Sequence, residues 1–142
     1  MNKNQKISFI LPVFIFQIIS YTSAQVQSED FWTLIEKTND GSKYHLNFSG
    51  LEDRLKQTPH VSEKKSSEVI LMMPNSFGEK RTFKFYENTV IHSNLEKKYP
   101  YIKTFVGIGV ENPSHRSTIV LNNGRIVGSI DSHKAPSHFK SF

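Results

Sequence analysis

Cysteine occurs nowhere in the 142 residues. Its absence removes disulfides, thiol redox chemistry and thiolate metal ligands together, so stability has to come from packing. Long runs of one charge are missing too. The basic residues come as short pairs, Lys64-Lys65, Lys80-Arg81 and Lys97-Lys98, each beside a turn or on a helix face. A phosphate-tracking stripe needs more than that, and no nucleic-acid partner is expected. There is no internal repeat and no low-complexity tract. No histidine is followed by glutamate and no two stand four apart, so the helical His-Glu-x-x-His zinc motif is missing. Ser129 lies outside any Gly-x-Ser-x-Gly elbow, and Gly107-Ile108-Gly109 lacks the third glycine of a dinucleotide site, so it reads as a strand end or bulge. His133 and His138, five apart near Asp131, match no common ligand pattern and read as a polar tail. No catalytic centre, cofactor or metal site is expected.

What is present begins with an export signal. Lys3 and Lys6 form a basic start, Ile7 to Ile19 is an apolar run, and Thr22-Ser23-Ala24 is a small-residue cleavage site between Ala24 and Gln25. The run is interrupted by Ser8, Pro12 and Gln17 and is shorter than the ~20 residues of a spanning helix. Cleavage is therefore preferred over an uncleaved anchor, with a periplasmic or extracellular product that has no stable membrane insertion. Removing residues 1–24 takes Lys3 and Lys6 and lowers the net charge from +5 to +3. The remaining chain of about 118 residues suits one domain.

Along that chain, Ser28-Glu29-Asp30 before Phe31, Trp32 and Ile35 predicts a short amphipathic helix over 30–37. Alternation from Lys43 to Phe48 predicts a half-buried strand. Ser49-Gly50-Leu51-Glu52 has the form of a capping box, with Thr58-Pro59 as the helix stop. The polar run Ser62–Ser67 reads as a surface loop. Val69 to Met73 is a strand apolar at every position, and Phe83 and Phe85 give its partner an inward aromatic face. Ser93-Asn94-Leu95-Glu96 repeats the capping pattern before Tyr99-Pro100. A strand follows from Ile102 to Ile108, and Asn123-Gly124 joins the last two strands in a tight hairpin. The expected fold is α+β, a mostly antiparallel sheet of six or so strands with two or three short helices over 25–131, followed by a polar tail at 132–142. Tyr99, Tyr101, Phe105, Phe83 and Phe85 read as core before they read as a binding surface.

The order Pro74-Asn75-Ser76-Phe77-Gly78, Thr82-Phe83-Lys84-Phe85-Tyr86, Leu95 to Tyr99-Pro100, Val106-Gly107-Ile108-Gly109 and Asn112-Pro113-Ser114 resembles the N-terminal propeptide of secreted bacterial reprolysin-like zinc metallopeptidases. The resemblance covers roughly Trp32 to Ile130 and implies a domain that assists folding of a catalytic zinc domain and keeps it latent until proteolysis. The implied partner is that zinc metallopeptidase catalytic domain, bound for example along an exposed strand edge. Asp131 and His133 are the implied latency contacts in place of a cysteine thiolate. A family member would continue past Phe142 into a catalytic domain, so three readings compete. They are the front part of an interrupted protease, an inhibitor or folding helper acting in trans, and a secreted module recruited to bind or adhere to something else.

Overall fold

In the computed structural model of the chain the described residues are 27–89, 97–131 and 136–140. Strands β1 (Trp32–Thr38) and β2 (Gly41–Leu46) form a hairpin, followed by helix α1 (Phe48–Leu55) and a 3-10 turn (Val61–Glu63). Then come β3 (Ile70–Pro74), β4 (Lys80–Glu87), β5 (Ile102–Gly109), β6 (Arg116–Asn122), β7 (Arg125–Asp131) and β8 (Ser137–Lys140). The last six strands pair in chain order, each antiparallel to the next, and the sheet curls into a half-barrel.

The α+β expectation is thereby corrected to a mostly antiparallel β fold with, among the described residues, a single complete α-helix and one 3-10 turn. Residues 30–37 account for much of the difference. Trp32 to Thr38 is a strand, because Thr38-Asn39-Asp40-Gly41 folds it back onto β2, from Trp32 opposite Leu46 to Thr38 opposite Gly41. The acidic residues that suggest a helix start have other work. Asp30 Oδ1 accepts from the Trp32 N–H at 3.0 Å, and Glu29 pairs its backbone with β3. Cross-strand pairing overrides a local preference worth only tenths of a kcal/mol per residue. The helix expected from Ser93 lies mostly outside the described residues.

The second correction concerns the tail. Ser137 to Lys140 is not an exposed polar end but an edge strand paired with Val127–Ile130 of β7. Its neighbour Ser132–Ala135, including His133, lies outside the described residues, as do the expected cleavage site Ala24-Gln25 and the export signal.

Helix α1 starts two residues before the capping box suggests. Asn47 Oδ1, not Ser49, accepts from the Gly50 N–H at 3.1 Å. At its other end the Thr58 hydroxyl donates to the Leu55 carbonyl at 2.8 Å before Pro59. Asn47→Ala is expected to cost about 1 kcal/mol in urea denaturation, whereas Ser49→Ala stays within about 0.5 kcal/mol. Equal costs would return the cap to Ser49.

The core lies between α1 and the inner face of the sheet. Leu51 and Leu55 of α1 join Leu71, Met73, Phe83, Phe85, Phe105, Ile119 and Ile130 in one buried cluster. Cross-strand register explains the glycines. Phe83 stands opposite Gly109, Phe85 opposite Gly107 and Phe139 opposite Gly128. Each phenylalanine has a neighbour without a side chain, so rings cover bare backbone that a Cβ would block. A Cβ on Gly107 would sit 2.9 Å from the Phe85 ring, and one on Gly109 2.3 Å from the Asn112 carbonyl oxygen. Gly107-Ile108-Gly109 is therefore the end of β5, as expected from its sequence, and its glycines serve packing.

Of the five aromatics expected in the core, Phe83, Phe85 and Phe105 are buried. Tyr101 is half exposed and meets Tyr99 edge to face, 6.0 Å between ring centres. At the Asn123-Gly124 hairpin both residues have positive φ, 47° and 78°, which suits the twist between β6 and β7.

Candidate functional site at the hairpin and sheet junction

The β1–β2 hairpin is held to the half-barrel near its open end, at Trp32, and beside its turn, at Ser42. Trp32 is buried, but the six residues from Thr33 to Thr38 are exposed. Both attachments are polar contacts. Lys80 Nζ donates to the Trp32 carbonyl at 2.6 Å and pairs with the Asp30 carboxylate, and the Ser42 hydroxyl donates to the Ser76 carbonyl at 3.2 Å. Ser76 in turn donates its backbone N–H to the Ser137 hydroxyl at 3.2 Å, so the β3–β4 turn meets the start of β8 at the same place.

Trp32 is the centre of an aromatic cluster. Its ring meets Phe139 edge to face at 5.4 Å and Tyr44 at 6.3 Å. Two cavities flank it, of about 390 and about 220 Å³, and both Trp32 and Tyr44 line both of them. These two side chains form the wall that the cavities share. The larger cavity is completed by Ile35, Leu46, Phe48 and Ile126, with His45 and Lys140 also on its lining. The Trp32 Nε1–H and the Tyr44 hydroxyl are buried and have no hydrogen-bond partner among the described residues. An unmade hydrogen bond of a buried donor costs about 1–3 kcal/mol.

A second, polar cleft of about 340 Å³ lies where β4 meets the loop after β5. Arg81 Nη1 is 3.2 Å from Nδ1 of His115, and Asn112 Nδ2 is 3.4 Å from its Nε2. Glu79 and Glu111 share this cleft, but the Glu79 carboxylate lies 4.0 Å from Arg81 and is bonded instead to the Asn75 amide at 3.0 Å. Its charges are mixed, and it favours neither an anion nor a cation.

No family model, curated protein or solved structure matches this chain.

Of the two implied latency contacts only Asp131 is among the described residues, and it lines neither cavity beside Trp32. Asp131 is the exposed last residue of β7, opposite Arg116, and its proposed companion His133 lies outside the described residues. His60 caps the 3-10 turn, accepting from the Ser62 N–H at 3.2 Å and contacting Thr89 Oγ1 at 3.0 Å. His45, His60, His115 and His138 belong to different elements, and no group of three or more His, Asp or Glu side chains is placed to share a metal ion among the described residues. Among those residues, no helix is long and apolar enough to cross a membrane.

Sequence reading missed the junction for two reasons. Trp32 and Ile35 have the spacing of a helix face in the sequence, and Phe139 and Lys140 fall in what reads as a polar tail. The signal that points to the second was the Ser137-His138-Phe139-Lys140 alternation, the period of a strand with one apolar position inward.

Proposed function

We propose that the protein is an exported, non-catalytic binding domain of the propeptide type, which holds a zinc metallopeptidase by strand addition. The observation that carries this reading is the β1–β2 hairpin. It is a two-stranded unit whose first strand exposes the six residues from Thr33 to Thr38 and has no strand paired on its outer edge among the described residues. Such an edge offers its free backbone N–H and C=O groups to an extended segment or to the rim of a cleft.

Ile35 is the side chain best placed to give that contact specificity. The β1–β2 register slips between Leu34 and Glu36, so Ile35 is the bulged residue with no partner on β2, and 67% of it is exposed. Bulges re-aim side chains in this way. Additional support comes from the family-like residues of Val69 to Ile130. Those described build the continuous β3 to β7 meander, a scaffold whose signature glycines and phenylalanines are used for packing and leave the surface to supply activity.

The test is stoichiometric. Purified protein added to a reprolysin-type zinc peptidase is expected to slow substrate cleavage with an endpoint near one equivalent, and to co-elute with the peptidase on gel filtration. No slowing at tenfold excess, with no complex, would sink the proposal. Ile35→Asp is expected to raise the inhibition constant at least about tenfold. Because this side chain is exposed, its stability is expected to stay within about 0.5 kcal/mol of the parent.

A further inference from the structure

Between α1 and β3 the chain crosses the surface in a loop whose six residues from Val61 to Ser66 are all exposed. Both of its ends are fastened to β4. On one side the Glu87 N–H donates to the Pro59 carbonyl at 3.0 Å, and on the other the Phe85 N–H donates to the Val69 carbonyl at 2.9 Å. Ser67 and Val69 are buried, so exposure ends sharply after Ser66. Between these anchors little holds the backbone. The Lys65 carbonyl and the Ser66 N–H, which share one peptide group, enter no hydrogen bond among the described residues. Lys64 has φ 55°, a left-handed conformation that is costly for a residue with a Cβ. The side-chain contacts of the loop lie at the surface. Lys65 pairs with Glu63 at 3.2 Å and Lys84 Nζ donates to Ser66 Oγ at 3.3 Å, and exposed contacts of this kind hold little. A depression of about 480 Å³, lined by Val61, Lys64 and Lys65 and by Tyr86, Val106 and Ile108, opens beside the loop, so that side is not packed down on the sheet.

An endopeptidase needs exposed main chain that is free of other hydrogen bonds, and a cationic side chain before the bond suits a serine endopeptidase with an acidic specificity pocket. We propose that the Lys65–Ser66 bond is a cleavage site for a lysine-selective endopeptidase, and that the two pieces stay together after the cut. The step is hydrolysis. Water adds across the C–N bond, leaving a carboxylate on Lys65 and an amino group on Ser66, and the protease supplies the catalytic groups. The first piece stays because it contributes Trp32, Leu51 and Leu55 to the buried core. It also bridges β3, with the Glu29 N–H donating to the Ile70 carbonyl at 2.9 Å and the Met72 N–H to the Glu29 carbonyl at 2.8 Å. After the cut the β1–β2 hairpin is joined to the meander by contacts alone. The site does not rest on the peptidase-binding reading, and its test contains no metallopeptidase.

Trypsin is the probe, added sparingly to the purified protein, with the products identified by mass. A cut after Lys65 is expected before any cut within a strand, with both pieces co-eluting on gel filtration and separating in about 6 M urea. The rate of this cut is expected to stay level in urea below the unfolding transition, as local opening of an unbonded loop requires, whereas a cut that waits for global unfolding accelerates. Lys64→Gln with Lys65→Gln replaces two exposed side chains, so the double variant is expected to fold and to lose at least about tenfold in the rate of this cut. A Lys65–Ser66 bond that survives until the strands are cut overturns the proposal, as does a rate that climbs with urea in step with unfolding. Pieces that part in native buffer overturn it as well, because the core contacts then do not hold them.

Discussion

Phe83→Ala is expected to lower unfolding free energy by about 3–5 kcal/mol, the usual cost of truncating a buried phenylalanine. For a domain whose whole stability is of the order of 5–15 kcal/mol, that removes a large part of it. The size follows from position. Phe83 is fully buried, its ring packs 6.3 Å from that of Phe85, and it stands opposite Gly109, so no neighbouring side chain from β5 can swing in to fill the void. The control lies on the other side of the sheet. Val127 is 55% exposed, and Val127→Ala is expected to change stability by no more than about 0.5 kcal/mol. Urea denaturation of the two variants decides the matter. A loss below about 1 kcal/mol at Phe83 would mean that the inner face of β4 is not the centre of the core.

Gly128→Val is expected to be comparably damaging, by about 3 kcal/mol, from overpacking. A Cβ at this position would stand 2.4 Å from the Thr118 carbonyl oxygen of the neighbouring strand and 2.2 Å from the Phe139 ring. The first obstacle is backbone within a ladder and cannot move without breaking the β6–β7 pairing. The second is a side chain on an edge strand only four residues long. These unequal obstacles give a sharper test. Adding Phe139→Ala to Gly128→Val is expected to recover part of the loss, a coupling of about 1 kcal/mol, and not all of it. Full recovery would assign the whole clash to the ring. No recovery would mean that β8 leaves the sheet readily and that Phe139 contributes little to the Trp32 cluster.

The sheet itself was legible from residues because antiparallel strands joined by tight turns encode themselves locally. Pro74 to Gly78 and Asn123-Gly124 specify their turns by the backbone angles they tolerate, and alternating burial from Arg116 to Asp131 follows directly from the two-residue period of a strand. Leu51 and Leu55 likewise announce the one face of α1 that is buried. The first strand was not legible in this way. Trp32 and Ile35 are three apart, a spacing that a helix and a bulged strand both satisfy, and only pairing with β2 separates the two.

The candidate site was less visible than the fold for a related reason. Trp32, Tyr44, Ile126 and Phe139 are far apart in the chain, each reads as an ordinary core aromatic or aliphatic, and nothing in the order of residues says that two of them bury hydrogen-bonding groups without partners. Whether a buried donor finds an acceptor depends on what folds against it.

By itself, then, the sequence settles the tight turns, the periods of the later strands and the lack of any disulfide or thiolate chemistry, all of them properties of a residue and its near neighbours. The tertiary structure decides which edge stays open, that the chain's last described residues complete the sheet, and that Trp32 and Tyr44 wall two cavities. Those outcomes depend on long-range pairing and on the curl that brings Ser76 to Ser137, and such closure is set by the sum of many weak cross-strand contacts, none of which is written at a single position.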